Sequence, residues 1–172
     1  MDLKSKIRVI EGFPKEGISF KDITTLLNDK EVFQETIDQL AEYASKYEFD
    51  YVVGIEARGF ILGAPLAYKL NKGFIPVRKP GKLPGNVITE SYDLEYGSNA
   101  IEMDKDVLKD GDKVLLLDDL LATGGTAVAA TKLIESTGAS IAAVGFLIEL
   151  TELKGMDLLK DYPTFSIVKY KY

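Results

Sequence analysis

At 172 residues, 46% hydrophobic and 28% charged, the chain has the length and balance of one globular domain with a sizeable core. A net charge of −6 argues against a general nucleic-acid binder, which needs a basic face, yet leaves room for a local basic loop that takes a small anion. Cysteine and histidine are both missing, which excludes disulfides, thiolate chemistry and any Ser-His-Asp arrangement, so acid–base steps fall to Asp, Glu, Lys, Tyr or the substrate.

The opening stretch MDLKSKIRVIEGFP lacks the apolar run of a signal peptide, and no segment reaches transmembrane length. The expectation is a cytoplasmic protein with no membrane partner. Residues 28–47 read as an amphipathic helix: Phe33, Ile37, Leu40, Ala44 and Tyr47 recur at helical spacing, and Asn28 with Glu31 is set out like a capping box. YVVGI (51–55) is a short apolar strand, followed by a helix over 56–70 that Pro65 is expected to kink. GFIPV (73–77) is a second strand. Residues 78–97 carry two Pro and three Gly and read as a long loop or flexible hairpin. KVLLLDD (113–119) is the most apolar strand, and the helix over 126–136 places Ala127, Ala130, Thr131 and Ile134 on one face. SIAAVGFLIEL (140–150) and FSIVKY (165–170) close the series of strands. Strands alternating with helices, several apolar throughout, predict an α/β fold with a mostly parallel central sheet flanked by helices. Ligands of such sheets bind beyond the carboxyl ends of the strands, so the loops after residues 55, 77, 118 and 149 are the ones to examine.

The stretch VLLLDDLLATGGT (114–126) sets Asp118 and Asp119 side by side at the end of an apparently buried strand. Two adjacent carboxylates repel and lose hydration there, so a partner that hydrogen-bonds them is expected. In the loop that follows, Gly124 and Gly125 let a ligand approach the backbone. The helix start directs free N–H groups at it, and Thr123 and Thr126 add hydroxyls, together a cradle for one phosphate. The plain alternative is a strand–turn–helix with a Thr cap. A Walker-B strand is excluded, because no G-x-x-x-x-G-K-[ST] accompanies it. Ribose fits: its hydroxyls donate to the carboxylates while a 5-phosphate sits in the loop.

Four apolar residues, two acids, two variable residues and A-T-G-G-T resemble the phosphoribosyl-diphosphate signature of the type I phosphoribosyltransferases, and LDDLLATGGT is similar to the adenine-specific branch. The resemblance runs from about Phe13 to Tyr170, through further motifs in order, each with a bland reading beside it. GIEARGF implies a diphosphate-binding loop at Glu56, Ala57 and Arg58, often with a cis peptide; alone, Arg58 reads equally as a helix-capping surface residue. RKPGKLP implies that Arg78, Lys79 and Lys82 serve the diphosphate from a mobile lid, where composition alone says a solvated basic loop. SYDLEYG implies Glu95 as the catalytic carboxylate at the purine and Tyr96 as a residue that helps close the loop; without the resemblance both are hairpin residues. FPKEGISFKDI implies that adenine stacks on Phe20 opposite Leu120 and is read by backbone groups of Ser19 and Lys21, where Phe20 alone reads as core. Lys21 departs from the Arg of relatives, which matters only if that side chain takes part. IELTELKG (148–155) matches the family's C-terminal region.

The resemblance thus implies one phosphoribosyltransferase domain over 1–172, with a base-binding hood at about 1–30 and a flexible loop at about 78–100. It implies transfer of the 5-phosphoribosyl group from its 1-diphosphate to adenine, giving AMP and diphosphate. Asp118, Asp119 and Ala122–Thr126 would hold the ribose phosphate, with Mg²⁺ carried on the diphosphate and a homodimer as the assembly. The alternatives are an enzyme for another purine, such as hypoxanthine or xanthine, or a non-catalytic regulator that senses the sugar diphosphate.

Overall fold

A computed structural model of the chain describes residues 1–94 and 97–172. Its centre is a five-stranded, all-parallel sheet formed by β3 (Tyr51–Ile55), β4 (Gly73–Val77), β7 (Lys113–Leu121), β8 (Ser140–Leu150) and β9 (Thr164–Tyr170). The strand order is β4-β3-β7-β8-β9. Helices cover both faces, α2 (Lys30–Ala44) and α3 (Arg58–Leu70) packing into one apolar cluster and α4 (Gly125–Ser136) into the other. This is the predicted α/β architecture. Strands buried on both faces need continuous apolar runs, and Val114 to Leu117 supply one, each at most 1% exposed. Side chains buried this fully contribute about 1.5–3 kcal/mol each, so β7 is the anchor of the sheet.

The chain leaves β3 toward β4 on one side, while β7 lies on the other. The order therefore reverses between β3 and β7, and the crevice outside their carboxyl ends is where such sheets bind ligands. Two antiparallel pairs flank it. One is the N-terminal hairpin of β1 (Arg8–Glu11) and β2 (Ser19–Asp22); the other joins β5 (Val87–Leu94) to β6 (Gly97–Asp104). A bridge between Arg78 and Glu102 ties the second hairpin to the end of β4.

Several local expectations change. The helix over 28–47 is capped one residue later than predicted, because Asp29 accepts the amides of Glu31 and Val32 at 3.0 and 3.2 Å, and it ends at Ala44, leaving Tyr47 beyond it. α1 (Thr24–Leu27) takes up Asn28 at its own C-terminus. α3 runs through Pro65 without a break. β7 continues past the aspartates to Leu121, since Leu120 and Leu121 still pair with Ile148 and Glu149 of β8. The hairpin of β1 and β2 carries no clean alternation and was not predicted. The peptide bonds Phe13–Pro14 and Glu56–Ala57 are cis, the second where the resemblance placed one.

Candidate active site

Asp118 and Asp119 lie within β7 at the switch point, and their cleft of about 280 Å³ is lined by Glu56, Ala57, Arg58, Arg78, Lys79, Tyr92, Asn99 and Thr126, among others. The Asp119 amide donates to Asp118 Oδ1 at 2.8 Å. Burial at the cleft floor, and then the neighbouring Asp119 charge, push the Asp118 carboxyl well above the usual carboxylate range. Asp119 Oδ2 sits 2.7 Å from Arg58 Nε, an ion pair whose approach is not that of a hydrogen bond; among the described residues this buried oxygen accepts none. One buried oxygen of the carboxylate pair thus lacks a hydrogen-bond donor among the described residues.

Next to it, a pocket of about 210 Å³ is walled by Asp118, Leu120 and the whole of Ala122 to Thr126. Gly124 holds φ +95°, and a Cβ there would stand 3.0 Å from the Gly155 carbonyl, so only glycine suits the turn. α4 starts from Gly124, which has no side chain with which to cap it. Its first-turn N–H groups are left for an anion, which the helix dipole also favours. Thr126 lines both the pocket and the cleft.

The basic residues are distributed unevenly. Glu56 accepts from Arg78 Nε at 3.2 Å and from the Lys79 amide at 2.7 Å. Burial opposes ionisation of Glu56, but these bonds and the Arg78 charge outweigh it and hold its carboxyl below the usual range. Arg78 and Lys79 line the cleft, while Lys82 is exposed and stands outside its lining.

Arg58 links the cleft to the N-terminal hairpin. Its guanidinium pairs with Asp119, donates to the Lys21 carbonyl at 3.3 Å and lies over the Phe20 ring, 5.3 Å from its centroid. Phe20 is half-buried and meets Phe13 edge to face, so it is not simply core. In an antiparallel pair each residue directs both backbone groups toward its partner or both away. Ile18 bonds back across the turn to Gly12, and Lys21 turns outward to Arg58. The alternation sends the backbone of Ser19 and Lys21 to the free edge of β2. The Lys21 ammonium is buried, which lowers its pKa; it donates to Ser19 Oγ at 2.6 Å and lies 4.7 Å from the Tyr170 ring centroid.

Leu120 lines the pocket of the 122–126 loop. Glu95 and Tyr96 lie outside the described residues. The sequence reading missed Tyr92 and Asn99 in the cleft and Gly155 beneath the loop; Tyr92 stood inside a quoted motif, but a hairpin's facing is not legible without its register. A larger open groove, about 540 Å³ beside Phe33, Ile37 and Lys69, shares no lining residue with the cleft and holds no pair of adjacent carboxylates. Chemistry, not size, selects the cleft.

The switch-point crevice thus brings together an acidic floor, a helix start without a side-chain cap and the outer edge of β2. The model of the phosphoribosyl transferase domain matches residues 22–171. The adenine phosphoribosyltransferase of Clostridium perfringens is 59% identical over 99% of both chains. Among solved structures, the adenine phosphoribosyltransferase of Thermoanaerobacter pseudethanolicus superposes with a TM-score of 0.96 at 48% identity over 98% of each chain. That of Saccharomyces cerevisiae, solved with D-2,5-dideoxy-2,5-imino-altritol 1,6-bisphosphate and adenine, gives 0.90 at 40% over 96% of each. The chain belongs to the phosphoribosyl transferase family and, within it, to the adenine phosphoribosyltransferases.

Proposed function

We propose that the protein transfers the 5-phosphoribosyl group from 5-phosphoribosyl 1-diphosphate to adenine, releasing AMP and diphosphate. The observation that carries this reading is the single guanidinium of Arg58, which joins the acidic floor at Asp119 to the base-reading edge at Lys21 and Phe20. The name of the relatives and the adenine in the yeast complex support the choice of base.

The 5-phosphate accepts from the amides and hydroxyls of residues 122–126, and the ribose hydroxyls donate to Asp118 and Asp119. Remote binding energy thereby aligns the anomeric carbon. As the bond from that carbon to the diphosphate oxygen breaks, the two carboxylates stabilise the positive charge that develops on the sugar. N9 of adenine forms the new bond and gives up its proton, for which we assign Glu95 as acceptor, with Tyr96 helping to close the loop. Adenine's amine donates to a strand carbonyl and its N1 accepts from a strand N–H; a 6-oxopurine reverses that pattern and leaves groups unpaired. Arg58, Arg78, Lys79 and Lys82 are assigned to the diphosphate, and Ala57 and the Glu56 backbone to its loop. Among the described residues no group of three acidic side chains forms a cage. Mg²⁺ is bound largely through substrate phosphates and its own waters, so it would be carried on the diphosphate beside Arg78 and Lys79. There it would neutralise charge on the leaving group.

The 1–172 chain is read as one domain with a hood at 1–30 and a loop at 78–100. Sugar diphosphate and AMP are charged and held within cells, which supports a cytoplasmic setting; among the described residues no helix is long and apolar enough to span a membrane. A homodimer is supported by α3, whose outer face leaves Ile61 42% and Tyr68 90% exposed. The test is a product assay with Mg²⁺, 5-phosphoribosyl 1-diphosphate and adenine, hypoxanthine or guanine. AMP from adenine alone is expected; IMP or GMP at equal rates, or no product with any base, overturns the reading.

A further inference from the structure

Tyr92 stands where the hairpin of β5 and β6 meets the start of α4. Thr126 Oγ1 donates to its hydroxyl at 3.1 Å, and its ring lies 3.4 Å from where a Gly125 side chain would begin. Toward the base of the hairpin, Ile101 and Met103 are buried in the core and Ile88 packs on it. Beyond Tyr92, Gly97, Ser98 and Asn99 are exposed. Tyr92 is thus the outermost described side chain of β5 that packs against the core cluster.

We propose that Tyr92 is a positioning residue that couples occupancy of the 122–126 loop to the placement of the hairpin carrying Glu95 and Tyr96; this rests on the reading of that loop as the ribose-phosphate site. A hydroxyl that accepts one hydrogen bond still has its own proton to give. With the loop empty, Thr126 gives its proton to Tyr92. When a phosphate enters, Thr126 turns its proton to the anion, and Tyr92 donates to the Thr126 oxygen in return. The bond between them reverses direction and becomes part of a chain that ends on a charge, which strengthens every link. The hairpin is therefore held more firmly once the sugar phosphate is seated.

The test compares wild type with Tyr92→Phe, which keeps the ring over Gly125 and removes only the hydroxyl. Ribose 5-phosphate should bind the variant about 3- to 10-fold more weakly, the loss of one hydrogen bond. Inorganic diphosphate with Mg²⁺ should bind as before. Hydrogen exchange supplies the readout that general damage would not mimic. Ribose 5-phosphate should protect amides of both α4 and the 87–104 hairpin in wild type, but only those of α4 in the variant. Thr126→Ser, which keeps the hydroxyl, should retain hairpin protection, and Thr126→Val should lose it. Equal affinity and equal hairpin protection in wild type and Tyr92→Phe would overturn the proposal, as would a parallel loss for both ligands. Wild type that fails to bind ribose 5-phosphate at all would overturn the loop reading itself, which a positive result for diphosphate alone would make plain.

Discussion

Gly155 sits under the Ala122–Thr126 loop, and its replacement by alanine tests whether the position of that loop governs substrate binding. The residue is buried, and its backbone lies outside the left-handed region, so alanine meets no conformational penalty there. Sterics alone decide. A Cβ would stand 2.5 Å from the Ala122 carbonyl oxygen and 2.8 Å from Leu121 Cδ1. The leucine can turn aside, but the carbonyl is backbone. An ordinary contact needs about 3.5 Å, so the loop has to retreat by about 1 Å. Overpacking of this kind costs about 1–3 kcal/mol, which for a chain of this size lowers Tm by about 3–10 °C. A 1 Å misplacement of a binding group can lower kcat/KM about a hundredfold. The expected result for Gly155→Ala is a fall of that order in kcat/KM for 5-phosphoribosyl 1-diphosphate, with weakened binding of ribose 5-phosphate. Calorimetry and steady-state kinetics together decide. A variant with wild-type affinity for ribose 5-phosphate, whatever its Tm, would refute the claim that Gly155 sets the loop.

Asp118→Asn tests the acidic floor. The folded chain holds the Asp118 proton to higher pH than the unfolded chain, so wild type loses stability as pH rises from the ordinary value of 3.8 through the raised one. The asparagine variant avoids that loss and should be the more stable at neutral pH while losing catalytic rate; equal Tm values for the two at pH 7 would refute this. Asp22 behaves in the opposite sense. Hydrogen bonds from Thr24 and then Arg8 lower its pKa to about 2, so its contribution is present above pH 3.8 and is lost as pH falls toward 2. Asp22→Asn should lower neutral stability by about 1 kcal/mol and flatten acid unfolding in that window, as read by urea titration across pH. Glu95→Gln should keep substrate binding and lose about 10²–10⁴-fold in kcat if the residue moves a proton; full activity in that variant would remove it from the mechanism.

The chain order of strands and helices was legible because buried parallel strands and amphipathic helices leave strong periodic patterns, and YVVGI, GFIPV and SIAAVGFLIEL all fall on the strands expected. The aspartate pair and the Ala122–Thr126 loop were legible for a different reason, since anion binding at a helix start needs local residues at fixed spacing. The hairpin of β1 and β2 was hidden because its strands are only four residues long and lack alternation, β1 being largely exposed while the buried residues of β2 are the polar Lys21 and Asp22. What only the tertiary structure decided is which distant residues share one space. Arg58 reaches Asp119 and Lys21 together because β3, which leads into α3, pairs with β7, and the N-terminal hairpin meets the start of α3. Tyr92 meets Thr126, and Gly155 meets Ala122, across 34 and 33 positions of chain. Such contacts follow from sheet order and packing, which are properties of the whole folded chain and have no local signature in any one stretch of it.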